Sequence, residues 1–146
     1  GLRGVDLRVG EDGDEAMVIL HGRGELPELT VDLPVSVVWK PARGAAIPLV
    51  GEPFLTAKIG GRPFRFAAES DYPAHPAGRG RLIETAHDLL ALAGNERLLE
   101  LFGGVGLFCL SWQSEVSEVI LVEPGAAAAE DAAWNAGGAD NVTIYE

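Results

Sequence analysis

The sequence predicts an α/β chain (α+β overall): a β-rich N-terminal domain over residues 1–76, then part of an open parallel sheet with crossover helices over 77–146. Three observations lead there. Short strand-like runs punctuated by Pro and Gly fill the first half; a β-α-β-α-β order follows in the second. Between the second half's first strand and its helix stands Glu-Leu-Phe-Gly-Gly-Val-Gly (100–106), three glycines within four positions.

In order along the chain, Val5–Val9 and Glu15–Leu20 flank Glu-Asp-Gly-Asp (11–14), a turn signal, and read as a hairpin. Residues 29–39 alternate apolar and polar positions, with Pro34 forcing an edge or a bulge. Residues 53–59 and 63–66 are further short strands joined through Gly60-Gly61, and prolines at 41, 48, 53 and 63 keep the segments short. The turn formers of 71–80 mark the domain junction. A helix over 80–93 places Leu82, Ile83, Ala86, Leu89, Leu90 and Ala93 at helical spacing, with Gly94 as its C-terminal cap. There follow a strand (about 97–102), an apolar helix (about 105–114), a strand (118–123), an alanine-rich helix (126–136) and a last strand (141–145). Parallel strands with right-handed crossovers follow from that order, a Rossmann-like arrangement.

Bulk properties narrow the function. No apolar stretch nears the roughly 20 residues that span a bilayer, and the first residues lack a signal-peptide core. The expectation is a cytoplasmic protein without a membrane partner, trimmed from a longer one. The single cysteine, Cys109, excludes an internal disulfide and multi-cysteine metal sites. The three histidines show no ligand spacing, so no metal is expected. The net charge of −11 argues against nucleic acid. Its distribution softens that: Lys40 to Arg81 holds seven bases against three acids, +4, leaving four against nineteen, −15, elsewhere. Chance clustering on a solvated face and a basic strip facing a polyanion are both open readings.

In an open parallel sheet, ligands sit beyond the carboxyl ends of the strands. Gly103, Gly104 and Gly106 stand at such an end, where they permit positive φ and close approach of a ligand, and a helix starting near Val105 would aim its N–H groups there. Gly-Lys-Ser/Thr is missing, which excludes a phosphate-cradling loop. A dinucleotide fingerprint counted from Gly104 would need glycine where Cys109 stands. A nucleoside without phosphate remains. The acids ending the two strands, Glu100 and Glu123, 23 residues apart, suit ribose hydroxyls and a cationic sulfonium. S-adenosylmethionine is the preferred ligand.

Glu-Leu-Phe-Gly-Gly-Val-Gly-Leu-Phe resembles motif I of the RNA (uracil-5-)-methyltransferases, Asp-Leu-Tyr-Cys-Gly-Val-Gly-x-Phe. The order of pieces agrees over roughly 47–146: Gly-Arg-Pro-Phe-Arg-Phe (61–66), the helix, Val119–Pro124, Asn135-Ala136 and Asp140-Asn141-Val142. The resemblance implies S-adenosylmethionine bound by Glu100, Phe102, Gly103, Gly104, Gly106 and Glu123. It also implies rRNA or tRNA as substrate, with Arg62, Arg65 and Tyr72 as weaker candidates for contacting it. Glu100 replaces the motif's Asp, Phe102 its Tyr and Gly103 its Cys. The family's Phe-Phe-Gln-x-Asn stands here as Tyr72-Pro73-Ala74-His75-Pro76, without the Gln and Asn. In the family a Cys attacks C6 of uracil and a general base removes the C5 proton, both far downstream of motif I. Cys109 is instead patterned as a buried structural residue, so this chain is expected to hold the cofactor but not to complete the reaction. Ending after a third strand, its open sheet edge invites dimerisation. A methyltransferase acting on a protein or small molecule, and a non-catalytic binding module, are the rival readings.

Overall fold

The computed structural model describes residues 1–10, 15–73 and 75–146. The chain divides into two compact units, Gly1–Ala57 with Ala67–Glu69, and Lys58–Phe66 with Ser70–Glu146. Together they bear out the α/β expectation.

The first unit holds a four-stranded sheet in sequence order, β1 (Leu2–Val9), β2 (Ala16–Gly22), β3 (Ser36–Pro41) and β4 (Ile47–Val50). β1 and β2 run antiparallel as the hairpin reading requires, while the turn at 11–14 lies outside the described residues. β2 and β3 are parallel, and β4 is antiparallel to β3. The strand predicted over 29–39 is only half formed. Residues 29–35 are irregular, with Val35 N–H bonded to Leu33 O (2.8 Å) across Pro34. β4 went unpredicted; Pro48 is tolerated there because the strand lies at the sheet's edge. Met17, Ile19, Val37, Val38 and Trp39 form the core of the sheet. β5 (Phe54–Ile59) and β6 (Arg62–Ala67) pair as a separate two-stranded sheet around Gly60-Gly61.

In the second unit α1 (Pro76–Leu90) starts four residues earlier than predicted. The His75 ring accepts the Gly78 N–H through Nδ1 (2.9 Å) and caps the helix. It also ends earlier. Ala91, not Gly94, takes the left-handed conformation (φ 48°), its N–H bonded to His87 O. Leu82, Leu89 and Leu90 stay exposed, so the predicted apolar face is not a core face among the described residues. Next come β7 (Arg97–Leu101), β8 (Glu118–Val122) and β9 (Val142–Tyr145), parallel and paired in that order. α2 spans Ala126–Ala136, as predicted, and buries Ala129, Asp131, Ala132, Asn135 and Ala136. Val119 and Leu121 of β8 are fully buried.

The helix predicted over 105–114 is a correction. Residues 104–108 are turns, and a 3-10 helix follows over Cys109–Glu115. Gly104 (φ 56°) and Gly106 (φ 78°) hold left-handed backbone that an α-helix cannot continue through. No helix among the described residues is long and apolar enough to cross a membrane.

Candidate functional site

The turn after β7 is built by three glycines that serve different ends. A Cβ at Gly103 would meet Leu121 at 2.8 Å, and one at Gly106 would meet Leu110 at 2.3 Å. Those two positions are set by packing of the turn onto β8 and the 3-10 helix. Gly104 is different: its φ is 56°, yet a Cβ there would meet nothing within 4 Å. Its bare face opens outward, so Gly104 is where a ligand can touch main chain. Phe102, beside it, is one of two non-glycine residues with positive φ among those described (56°), and its ring is 80 % exposed. A left-handed non-glycine residue costs roughly 1–2 kcal/mol, and surroundings that impose it are frequent at binding sites.

Both acids grip the turn. The Glu123 carboxylate accepts the Gly104 N–H through Oε2 (2.8 Å) and the Gly125 N–H through Oε1 (2.7 Å), so it ties the turn after β7 to the turn after β8. Glu100 accepts the Cys109 N–H (2.9 Å) at the start of the 3-10 helix. The free helix N–H groups expected at this spot are therefore, at Cys109, already taken by a carboxylate. An ionised carboxylate has about four lone-pair sites. Each Glu123 oxygen keeps capacity for a hydroxyl donor after its main-chain bond.

Cys109 is 1 % exposed. Burial, and then the neighbouring Glu100 charge, pushes its thiol far above the ordinary cysteine range. A thiolate nucleophile cannot form there near neutral pH.

The three substrate candidates make contacts within the protein. Arg62 donates to Leu110 O (3.0 Å) and Asn135 O (2.8 Å). Arg65, with a side chain 16 % exposed, donates through Nε to Asp131 Oδ1 (2.7 Å), and Asp131 is fully buried. Their charges serve internal carbonyls and a carboxylate, and a buried acid without a cation would be costly. Tyr72 stacks on Phe66 (centroids 3.8 Å apart, 8° between planes), and the Arg79 guanidinium lies over its ring at 4.8 Å. That aromatic surface is engaged within the protein. Trp112 is packed, whereas Trp134 is half exposed.

Residues that the sequence did not single out as functional converge here. Ser70 Oγ donates to Asp131 Oδ2 (2.6 Å). Asn135, 2 % exposed, accepts the Arg65 N–H and donates to the carbonyls of Arg65 and Val105. Asn135-Ala136 belonged to the order of motifs, but only the folded chain brings its amide to the glycine turn.

No family model matches the chain. An RNA methyltransferase of Streptomyces avermitilis is 29 % identical over 152 residues, covering 100 % of this chain and 35 % of its own. The 23S rRNA (uracil(1939)-C(5))-methyltransferase of Shewanella piezotolerans is 34 % identical over 96 residues, 64 % of this chain and 22 % of its own. The chain thus spans about a third or less of the relatives it matches. Among solved structures, the tRNA (uracil-54, C5)-methyltransferase of Pyrococcus abyssi, in complex with S-adenosyl-L-homocysteine, superposes with a TM-score of 0.73 at 20 % identity, over 99 % of this chain and 39 % of that one. The tRNA m1G37 methyltransferase of Methanocaldococcus jannaschii gives 0.56 at 18 % identity, over 100 % and 49 %. The resemblance read from the order of motifs is borne out: the sequence relatives are RNA methyltransferases, and the fold is shared with solved methyltransferases.

Proposed function

We propose that this chain, a relative of RNA methyltransferases, holds S-adenosylmethionine as the cofactor-binding part of an enzyme that methylates C5 of uridine in rRNA or tRNA. The supporting observation is the Glu123 carboxylate, bonded to main chain at the tips of two adjacent parallel strands beside the open face of Gly104. In this reading Glu123 takes the ribose hydroxyls, Gly104 permits close contact, and Gly103 and Gly106 shape the turn. Glu100 and the exposed Phe102 form the rim. The cofactor supplies an electrophilic methyl group on a sulfonium, and an acidic rim favours that cation.

The division of labour we propose gives RNA contact to residues 1–76 and the cofactor to 77–146. Within that division, Lys58–Phe66 packs with the cofactor unit, and Arg62, Arg65 and Tyr72 brace it. Attack on C6 of uracil needs a thiolate, and the buried, protonated Cys109 does not supply one. The chain alone is therefore proposed to bind cofactor without turnover.

Calorimetry with S-adenosylhomocysteine tests the reading: one site on the wild-type chain, lost in Glu123→Ala. Absence of binding to the wild-type chain overturns it. The inward-facing arginines favour a second reading, a protein or small-molecule substrate. Crosslinking of a 4-thiouridine RNA to residues 1–76 supports the first; no crosslink anywhere on the chain favours the second.

A further inference from the structure

The buried amide of Asn135 joins two elements that no local pattern connects. Its Oδ1 accepts the Arg65 N–H (2.6 Å), while Nδ2 donates to Arg65 O (2.9 Å) and to Val105 O (2.9 Å). Toward β6 the side chain thus behaves as a neighbouring strand would, satisfying both main-chain groups of one residue. Toward the glycine turn it holds the carbonyl between Gly104 and Gly106. The orientation is set by its partners: a flipped amide would put NH2 against an N–H and oxygen against two carbonyls. With both amide hydrogens used and the residue 2 % exposed, no water can replace a lost partner without opening the site.

The same short segment of α2 is fastened twice more. Asp131 takes Arg65 Nε and Ser70 Oγ, and the Asn135 carbonyl takes Arg62 (2.8 Å). Each of these bonds fixes α2 against β6 or its flank, and the bond from Asn135 Nδ2 to Val105 O carries that fixation into the turn.

We infer that Asn135 is a positioning residue for the cofactor turn: it locks Val105 to strand β6, so the turn's shape depends on an amide 30 residues downstream. It touches the turn from the protein side and does not contact the ligand. The inference rests on the cofactor reading for its effect on affinity, but not for its effect on the turn.

Two measurements on the whole chain separate these. Without ligand, amide hydrogen exchange at Gly103, Gly104 and Gly106 should accelerate about tenfold or more in Asn135→Ala relative to β8 amides, and should not in Ser70→Ala, which loses a bond at the far side of the same brace. With S-adenosylhomocysteine, Asn135→Ala should bind about tenfold more weakly. Ser70→Ala should stay within about twofold of wild type although it melts lower. Unchanged turn exchange in Asn135→Ala, or losses of affinity that merely track melting temperature in both variants, overturns the inference. A wild-type chain that binds no S-adenosylhomocysteine overturns the cofactor reading, and the exchange data still decide the role of Asn135. If Asn135→Ala does not fold, Asn135→Ser, which keeps one donor, replaces it with the same outcomes.

Discussion

Glu123→Gln changes one charge and almost no volume, and the geometry around it fixes what should happen. Both carboxylate oxygens accept from main-chain N–H groups, Gly104 at 2.8 Å and Gly125 at 2.7 Å. The side chain must therefore present two acceptors. Glutamine presents one acceptor and one NH2 group, so either orientation leaves one N–H facing donor hydrogens. The amide should keep the part-buried Gly104 bond and give up the exposed Gly125 bond. A hydrogen bond to a charged group contributes about 1.5–3 kcal/mol when protected from water. Exposure at Gly125 lowers its loss, and the retained bond weakens as the charge goes, so about 1–2 kcal/mol in all is expected. At about 2–4 °C per kcal/mol for a chain of this size, the melting temperature should fall by roughly 2–8 °C. Affinity for S-adenosylhomocysteine should fall further than stability, because the ribose hydroxyls lose an ionised acceptor too. Thermal denaturation by circular dichroism and calorimetry on the same preparation measure both. A Gln variant that melts within about 1 °C of wild type and binds equally well would refute the claim that this carboxylate ties the strand tips together.

Three other outcomes follow from single groups. Phe102→Gly relieves left-handed backbone worth about 1–2 kcal/mol, offset by about 0.5–1 kcal/mol from a freer unfolded chain. Its melting temperature should hold or rise while cofactor affinity falls, and a lower melting temperature would show that the exposed ring stabilises the fold instead. Cys109 should resist Ellman's reagent at mildly alkaline pH in the folded chain and react in urea, with Cys109→Ala binding S-adenosylhomocysteine as wild type does; rapid native labelling would contradict its burial. Glu96 accepts the N–H groups of Ala93, Gly94 and Asn95, and these bonds, the one from Ala93 foremost, hold its carboxyl below the ordinary glutamate value of 4.5. A depressed folded value gives stabilisation that is present above the unfolded value and lost as pH falls through the folded one. The melting difference between wild type and Glu96→Gln should thus shrink below that value, and a carbon-13 titration of the Glu96 carboxyl should show the lowered midpoint.

How much of this was legible in the sequence depended on the range of the interactions. α2 was read to the residue because Gly125 and Gly137 bracket an alanine-rich run, and Gly137 does cap it with φ 63°. The strands β7, β8 and β9 were legible as short apolar runs, but the expectation of a buried strand fails at β7, whose Leu99 and Leu101 are exposed; of the three only β8 buries residues. The segment after β7 was not, because apolar spacing over 105–114 mimics a helix, whereas Gly104 and Gly106 turn left-handed and Glu100 starts a tighter one. The start of α1 was hidden by Gly78 and Gly80, which read as loop until His75 is seen capping the helix. Glu100 and Glu123 were picked out as strand-tip acids, but their main-chain partners are brought to them only by the folded turn. The internal contacts of Arg62 and Arg65 were hidden for the opposite reason. Arginine is usually exposed, and the acid that holds Arg65 inside stands 66 positions away.

That last point changes the electrostatic case for RNA. Of the seven bases from Lys40 to Arg81, Arg62 and Arg65 serve α2 and the 3-10 helix, and Arg79, 4 % exposed, serves Pro73 O and the Tyr72 ring. Arg65 is offset by Asp131, while Arg62 and Arg79 keep their charge but spend donors on main-chain oxygens, so the +4 falls to +3 in a chain of net charge −11, with Lys40, Arg43, Lys58 and Arg81 outside these contacts. Phosphate attraction of that size cannot hold a polyanion by itself. If four cations each neutralised one phosphate of a single strand, the slope of log affinity against log salt would reach only about −3. Affinity that falls no faster than this with salt would place recognition in base and shape contacts. With binding confined to this segment, a slope near −4, about six phosphates, would require Arg62 and Arg65 to leave Asn135 and Asp131, and the brace described above would then be wrong.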